Sequence, residues 1–314
     1  MIKEREISWD YYRTFLNVLR DGSLSAAARE LGITQPTVGR HIGALEESMG
    51  FQLFIRSPHG LVPTDAAIAL KPYAENLAAT ASALLRAASG EVGKIEGAVR
   101  ISASDVIGVE ILPPIIAALQ ELHPKLEIEL SLSDTLEDLL RREADIAIRM
   151  SEPVQDAIVM RYIGNFRVGF YASNDYLQKM GTPLSKADLT NHRLIGFDRK
   201  TPFIRATLQR MRKDNPSIPD AENIPFAIRA DSNLAQLSMI RAGAGVGFCQ
   251  VGLGSRDPNL THILPEMEIP LHTWVAMHEN LRTSPRCRAV FNALVDGLKG
   301  FLKTADPDAL ASKR

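Results

Sequence analysis

The sequence predicts an α/β protein with an all-α N-terminal part, and three observations lead to this prediction. The first sixty-five residues contain short helices that end at glycines, with a hairpin behind them. Residues 65–89 form one alanine- and leucine-rich run. From Ala98 onward strands and helices alternate, which is typical of α/β units. A chain of 314 residues is long enough for two or three domains.

Capping residues mark both ends of the first two helices. Ser8 is the predicted N-cap of the first helix, and Gly22 ends it, because glycine adopts the left-handed conformation at low cost. Ser23 begins a second, alanine-rich helix that ends at Gly32. The small alanines allow a neighbouring helix to approach closely.

The third helix has one apolar face and one face of short or polar side chains. Thr34 is its predicted N-cap, and Pro36 is tolerated in the first turn, where no N–H is required. The apolar stripe consists of Val38, Ile42, Leu45 and Met49. The opposite face carries Thr37, Arg40, Gly43 and Ala44, with His41 at its edge. Such a face suits contact with the edges of base pairs.

A short hairpin is predicted after the third helix. Phe51, Leu53 and Ile55 alternate with other residues, and a turn follows at 58–60. Arg56 and His59 lie near this turn, where they could meet phosphates or the minor groove. The hairpin is therefore a candidate wing.

These motifs together resemble the winged helix-turn-helix of the LysR family of bacterial transcription regulators. The resemblance runs from Phe15 to Leu61 and includes the runs 22–28 and 34–38, Leu45-Glu46, Leu53-Phe54, Arg56 and Gly60. It implies that the third helix enters the major groove and that the wing touches the DNA backbone. Gly39 departs from the family, which usually has a serine there. The DNA-binding residues that we predict are Ser25, Thr34, Gln35, Pro36, Thr37, Arg40, His41, Arg56 and His59.

The alternative for this region is a packed three-helix unit without DNA binding. Charge does not help to decide, because acidic residues outnumber basic ones in the first sixty-five positions. The number of motif positions that match at fixed spacing favours the DNA-binding interpretation.

Residues 66–90 are predicted to form a linker helix. Pro72 lies inside it and is expected to kink or interrupt it. A helix this long finds few partners in its own chain, so we expect it to pair with a second copy, as the family resemblance also implies. The alternative is a helix packed on its own domain. Residues 91–97 contain glycines and are expected to act as a hinge.

The remaining residues, 98–303, are predicted to form an effector-binding regulatory domain. Strand–helix–strand order implies parallel sheets in two α/β units joined by crossing strands. The resemblance implies two Rossmann-like subdomains similar to a type 2 periplasmic binding protein. We assign residues 98–164 and 273–303 to subdomain I, 165–272 to subdomain II, and 304–314 to a disordered tail.

The effector cleft is expected beyond the carboxyl ends of the strands, where ligands bind in open α/β sheets. Hydroxyl groups near one arginine suit a small anion such as a carboxylate. The alternative is that the serines are N-caps and that Arg149 pairs with a nearby carboxylate. The candidate effector-binding residues are Ser102, Ser104, Ser133, Arg149, Phe197, Pro202 and Ser232.

Other classes of function lack a matching motif. The glycine-rich run 243–247 follows a helix and leads into a strand, which is the reverse of a dinucleotide-binding motif. Cys249 and Cys287 are too few for a metal cluster or a disulfide framework, and a redox sensor is not favoured. The seven histidines lack metal-site spacing, and no nucleophile elbow or paired carboxylates stand out. We therefore expect no enzyme, no metal and no cofactor.

The sequence is best explained by a cytoplasmic transcription regulator. The charged first residues and the absence of a long apolar run predict neither a signal peptide nor a membrane span. The expected partners are double-stranded promoter DNA, a small effector, and further copies of the chain in a homodimer or homotetramer, with RNA polymerase as a further candidate. A solute-binding protein would explain only the α/β part.

Overall fold

The computed structural model describes residues 7–58, 60–89, 93–132, 144–150, 158–198, 201, 204–205, 209 and 224–305. Contacts divide the chain into two compact units, with the boundary between Leu85 and Arg86. His59, Ser133 and Pro202, and residues 306–314 of the predicted tail, lie outside the described residues.

The N-terminal unit has the predicted helices and hairpin. Helices α1 (Trp9–Asp21), α2 (Leu24–Leu31) and α3 (Gln35–Met49) are followed by strands β1 (Phe54–Ser57) and β2 (Gly60–Pro63), which pair in antiparallel fashion. Each of the three predicted N-caps, Ser8, Ser23 and Thr34, accepts a hydrogen bond from a backbone N–H of the first turn.

The core of this unit is formed by the apolar faces that the sequence predicts. Phe15 and Val18 of α1 meet Val38 and Leu45 of α3, and all four are at most 1% exposed. Leu53, just before β1, is fully buried in the same cluster and fastens the hairpin to the helices.

Helix α4 (Asp65–Ala88) follows the hairpin. It runs through Pro72 without interruption, so of the two alternatives expected there, a kink or a break, the break is wrong. Its last residues, from Arg86, belong to the second unit.

The second unit alternates strands and helices as predicted. Its strands are β3 (Gly97–Ala103), β4 (Leu126–Leu132), β5 (Ile146–Arg149), β6 (Ile158–Ser173), β7 (Leu194–Phe197), β8 (Phe226–Ala230), β9 (Gly247–Gln250), β10 (Leu260–Ile263) and β11 (Ile269–His278). Its helices are α5 (Leu112–Leu122), α6 (Asn174–Met180), α7 (Asn233–Arg241), α8 (Val251–Gly254) and α9 (Pro285–Ala305). A π-helical turn, Ile107–Ile111, precedes α5, and 3-10 turns occupy Lys186–Asn191, Pro265–Met267 and Glu279–Leu281.

The main sheet is mixed: the predicted parallel pairing is confirmed for β3, β4 and β5, but the sheet also contains antiparallel strands that the strand–helix–strand order did not predict. Its seven strands run in the order β10-β6-β11-β5-β3-β4, with β9 also paired to β6. Only β3, β4 and β5 are mutually parallel, whereas β6 pairs with β9, β10 and β11 in antiparallel fashion. The long β6 and β11 connect the strands of both predicted subdomains into one sheet, and β7 and β8 form a small parallel sheet of their own.

One face of the main sheet is covered by α5 and α9. Ile101, Ile146 and Val275 from three strands pack with Leu294 and Leu298 of α9, and all are at most 1% exposed. This packing fixes the strands, so that the side chains at the carboxyl end of β5 have defined neighbours.

Candidate nucleic-acid interface and effector cleft

The first turn of α3 and the start of α2 present polar side chains to solvent. Ser25, Gln35, Pro36 and Arg40 are exposed, and Thr37 is half-buried. No acidic residue lies in the first turn of α3, so nothing there offsets the positive end of the helix dipole. This surface therefore favours an anionic partner.

Thr34 and Thr37 organise this first turn. The Thr34 hydroxyl accepts a hydrogen bond from the Thr37 backbone N–H at 3.4 Å and lies 2.9 Å from the Thr37 hydroxyl. The two hydroxyls are thus held in one orientation at the N-terminus of α3, the part of a recognition helix that contacts base edges.

Among the predicted DNA contacts that the structure describes, His41 differs because its side chain contacts α1. Its Nδ1 lies 2.9 Å from the Thr14 hydroxyl, and its ring packs on Tyr11 with centroids 4.9 Å apart. Both partners belong to α1, so His41 joins α1 to α3 instead of pointing away from the surface of α3.

The hairpin is fastened to the helices by backbone contacts. The Glu46 carboxylate accepts hydrogen bonds from the N–H groups of Leu53 (2.7 Å) and Phe54 (3.2 Å). The Leu61 N–H donates to the Gly22 carbonyl at 2.8 Å. Gly60 has φ of +119°, and a Cβ there would lie 2.7 Å from the Gly22 oxygen, so only glycine fits. This attachment holds exposed Arg56 of β1 in a fixed place.

Two glycines in the interior of α3 lie in open space with respect to the residues that the structure describes. A Cβ at Gly43 would meet nothing within 4 Å, and one at Gly39 would only touch Leu24 at 4.0 Å. Each glycine costs about 1 kcal/mol relative to alanine. A partner outside the chain that approaches the helix closely would explain them.

Ser102 and Arg149 meet at the carboxyl ends of the parallel strands, as predicted. An Arg149 guanidinium N–H donates to the Ser102 hydroxyl at 3.2 Å and to the Ile148 carbonyl at 3.3 Å. Ser102 is fully buried. The Ser104 hydroxyl oxygen is also buried, and among the described residues it has no hydrogen-bond partner.

An aromatic cluster that the sequence analysis missed lies beside Arg149. Trp274 of β11 is paired with Arg149 of β5 on one side and with Tyr162 of β6 on the other, which puts the three side chains on one face. The Tyr162 and Trp274 rings lie 5.3 Å apart, and the Tyr162 hydroxyl lies 3.2 Å from His272 Nδ1. Desolvation by burial raises the pKa of Tyr162, which keeps its hydroxyl protonated.

Ser232 is an N-cap, and its hydroxyl also has an acidic partner. It accepts from the Ala235 N–H and donates to Asp105 Oδ2 at 3.0 Å. The same carboxylate oxygen accepts from the Leu234 N–H at 3.3 Å. The chain's own Asp105 therefore occupies the anion-binding position at the start of α7. Sequence analysis missed Asp105, although it directly follows the candidate Ser104.

Phe197 ends β7 and reaches the same end of the small sheet as Ser232. It pairs with Ala230 of β8, two residues before Ser232, and it is half-buried. The structure thus groups the candidates into Ser102 with Arg149, and Phe197 near Ser232 and Asp105.

Both thiols are unreactive by position. Burial raises the pKa of Cys249 to about 12 and also raises that of Cys287. Among the described residues, no group of three or more histidine, cysteine or acidic side chains could hold a metal ion. Over the same residues, no helix is long and apolar enough to cross a membrane.

Comparison with known families decides the assignment. Residues 9–68 match the bacterial regulatory helix-turn-helix protein of the LysR family, and residues 93–299 match the LysR substrate binding domain. The chain belongs to the LysR family. This is a family of transcription regulators and not of enzymes, so the expectation that the chain is not an enzyme is confirmed.

Individual relatives are distant. A regulator of Xanthomonas campestris is 27% identical over 58% of this chain, and the match spans 53% of that relative. The LysR-family chain is also 24% identical to the regulator DmlR of Escherichia coli over 88% of this chain and 90% of DmlR. Among solved structures, CbnR aligns with a TM-score of 0.66 and 18% identity over 93% of this chain and 99% of CbnR. CbnR has also been solved with its target DNA, and that structure aligns with a TM-score of 0.63 and 18% identity, over 94% of this chain and 99% of CbnR. These likenesses confirm the fold expected for a LysR-family regulator.

Proposed function

We propose that this LysR-family chain is a cytoplasmic, sequence-specific regulator that binds promoter DNA as a homodimer or homotetramer and senses a small anionic effector. The observation that carries the proposal is the exposed, polar first turn of α3, which lacks acidic residues and stands beside a fastened hairpin. Residues 1–65 act as the DNA-binding domain, 66–90 as the linker, and 98–303 as the regulatory domain.

Direct contact with bases is assigned to Gln35, Thr37 and Arg40. Their amide, hydroxyl and guanidinium groups are those that read base edges in the major groove. Arg56 on the hairpin is assigned to backbone phosphate, where it contributes affinity without sequence preference. Ser25 and Thr34 complete the phosphate contacts.

Pairing of two copies is assigned to α4. This helix exposes Ile68, Tyr73, Leu77, Leu84 and Leu85, each at least 45% exposed. Apolar side chains at that level of exposure along one helix are stabilised by burial against a second copy. Two paired copies would present two recognition helices to the two halves of an operator.

The effector is assigned to the group around Arg149, Ser102 and Ser104. A guanidinium and two hydroxyls bind a carboxylate through charge-assisted hydrogen bonds, and the aromatic cluster beside Arg149 supplies an apolar wall. The effector must compete with the hydrogen bond from Arg149 to Ser102. RNA polymerase is the further partner through which the bound regulator would act on transcription.

The test of DNA binding is a titration followed by fluorescence anisotropy. A duplex selected by the protein from a random pool is compared with a scrambled duplex at several salt concentrations. We expect selective binding to the chosen duplex, with an affinity that falls as salt rises because phosphate contacts release counterions. Failure of a folded oligomer to bind any DNA at low salt would overturn the proposal.

The test of effector binding uses the position of the two tryptophans. Because Trp9 and Trp274 are the only tryptophans, the fluorescence of a Trp9→Phe variant reports on Trp274 alone. We expect a small carboxylate from a metabolite panel to change this fluorescence, and Arg149→Ala to abolish the change. Equal binding of neutral analogues would contradict the anionic assignment.

A further inference from the structure

The end of the linker helix α4 is held in the regulatory unit by a buried ion pair. Arg86 Nε lies 2.9 Å from Asp145 Oδ2, and Arg86 Nη2 donates to Asp145 Oδ1 at 3.3 Å. The two side chains are only 7% and 9% exposed. A buried ion left without its partner is strongly unfavourable, so this pair keeps the last turn of α4 and Asp145 together.

Asp145 is itself fixed to the main sheet. Its Oδ2 accepts from the Arg100 N–H at 2.9 Å, and its own N–H donates to the Arg100 carbonyl at 2.9 Å. The next residue, Ile146, begins β5, and β5 ends at Arg149. The strand therefore lies between the Arg86–Asp145 ion pair at one end and Arg149, the proposed effector contact, at the other.

A second arginine caps the carbonyl end of α4. The Arg286 guanidinium of α9 donates to the carbonyl oxygens of Arg86, Ala87 and Ser89, and to that of Glu96 at 3.4 Å. A cation at this place satisfies the free carbonyls and complements the negative end of the helix dipole. The end of α4, the start of β5 and the start of α9 thus meet at one place. We call the group of Arg86, Asp145 and Arg286 with their partners the joint.

The joint occupies part of the segment where a glycine hinge was expected. The Ser89 hydroxyl accepts from the Ala98 N–H at 2.9 Å, and a Cβ at Gly97 would lie 2.7 Å from the Ser89 carbonyl oxygen. The helix end is thus packed directly on the start of β3, and a glycine at 97 is needed for that approach.

We infer that Arg86, Asp145 and Arg286 are positioning residues that couple the effector group to the linker helix through β5. From Ile146 to Arg149 the strand extends over roughly 10 Å, and its hydrogen bonds with neighbouring strands make it move as a unit. A ligand that draws Arg149 away from Ser102 would shift Asp145, and with it the clamped turn of α4. This inference rests on the proposed function, since it takes Arg149 to be the effector contact.

Coupling of this kind can be measured before the effector is known. Thermodynamic linkage is reciprocal, so a ligand at either end must affect the other. DNA is the ligand at the linker end, and hydrogen–deuterium exchange of the backbone amides in Ile146–Arg149 reports on the other end. The probe is a duplex selected by the wild-type full chain from a random pool.

The variant is Arg286→Gln, and its matched control is Arg288→Gln. Both change an arginine of α9, but Arg288 is exposed and lies outside the joint. Asp145→Asn is a second variant that breaks the ion pair, and it is used if it gives a folded protein by circular dichroism. Arg286→Gln leaves the buried pair intact, so the test does not depend on Asp145→Asn folding.

We expect bound DNA to slow hydrogen–deuterium exchange in Ile146–Arg149 in the wild type and in the control Arg288→Gln. In Arg286→Gln we expect this slowing to be lost, although the variant still binds the duplex. A merely structural role of Arg286 would speed exchange equally with and without DNA, and would leave the DNA-dependent difference in place. That result, or a wild type whose exchange in β5 ignores bound DNA, would overturn the inference. A wild type that binds no DNA would instead count against the proposed function.

Discussion

The polar side chains of the proposed DNA-binding surface and of the proposed effector cleft differ in what they already bind. Within the described residues, the side chains of Gln35 and Arg40 make no hydrogen bond or ion pair. In the cleft, Arg149 donates to Ser102, and Ser232 donates to Asp105. Gln35 and Arg40 can therefore receive a partner without losing internal bonds. Arg149 and Ser232 must instead exchange internal bonds for those of a ligand.

This difference would determine how each region responds to the partner that we propose for it. An interface of open polar groups gives affinity directly, because few internal contacts have to be broken. A cleft whose groups are paired responds to a ligand by rearranging, and only the difference between the old and the new contacts drives that change. The cleft is therefore suited to a conformational change on ligand binding, and the α3 surface is suited to binding without such a change.

The largest expected effect follows from the open side of this comparison. Arg40→Ala should weaken binding to the selected duplex by roughly 5- to 150-fold, the cost of losing one arginine–base contact. Thermal stability should not change, since Arg40 is exposed. Anisotropy titrations measure the affinity, and Arg13→Ala, also exposed but on α1, is the control. Equal affinities of Arg40→Ala and the wild type would remove Arg40 from the interface.

The second prediction tests the paired side. Asp105→Ala should lower the free energy of unfolding of the regulatory unit by about 1.5–3 kcal/mol, the range for hydrogen bonds to a charged group. Stability should fall because the Ser232 hydroxyl and the Leu234 N–H would lose their hydrogen-bond acceptor. Urea denaturation measures the change, and Asp105→Asn, which keeps one acceptor oxygen, should cost less. If alanine and asparagine variants were both as stable as the wild type, the carboxylate would not hold the start of α7.

The same contrast explains which parts of the molecule could be predicted from sequence. The N-caps Ser8, Ser23 and Thr34 each bind a backbone N–H no more than three residues away, so both partners of the hydrogen bond can be recognised from the local sequence. The exposed face of α3 follows from helical periodicity alone. The proposed DNA-binding surface is therefore almost entirely a local feature, with His41 as the exception, because its partner Thr14 lies on another helix.

The cleft depends on contacts between distant parts of the chain. Asp105 and Ser232 are 127 positions apart, and Tyr162 and His272 are 110 apart. Neither pair leaves a local signal. The full length of β6 is hard to predict for a related reason, since polar residues such as Arg161 and Asn165 interrupt its apolar pattern where it pairs with β11.

The third prediction separates stability from binding on α3. Gly43→Ala should raise the free energy of unfolding of the DNA-binding unit by about 1 kcal/mol, because alanine favours the helix and nothing lies within 4 Å of the new Cβ. If α3 lies against DNA, the same change should weaken binding to the duplex. Gly300→Ala is the matched control, since it is also an open helical glycine but lies in α9. Gly43→Ala with undiminished DNA affinity would mean that DNA does not approach this face closely.

The last prediction is that oxidation of the two cysteines does not change the DNA affinity. Burial raises the pKa of Cys249 to about 12, so at neutral pH the reactive thiolate is on the order of one part in ten thousand or less. Burial also raises the pKa of Cys287. Hydrogen peroxide should therefore leave the DNA affinity unchanged both in the wild type and in the double variant Cys249→Ala, Cys287→Ala. A thiol reagent should label the wild type only after urea is added, which shows that the cysteines are present and protected. A peroxide-sensitive wild type beside an insensitive double variant would instead make the regulatory unit a redox switch, and the rearrangement assigned to the cleft would then need no effector.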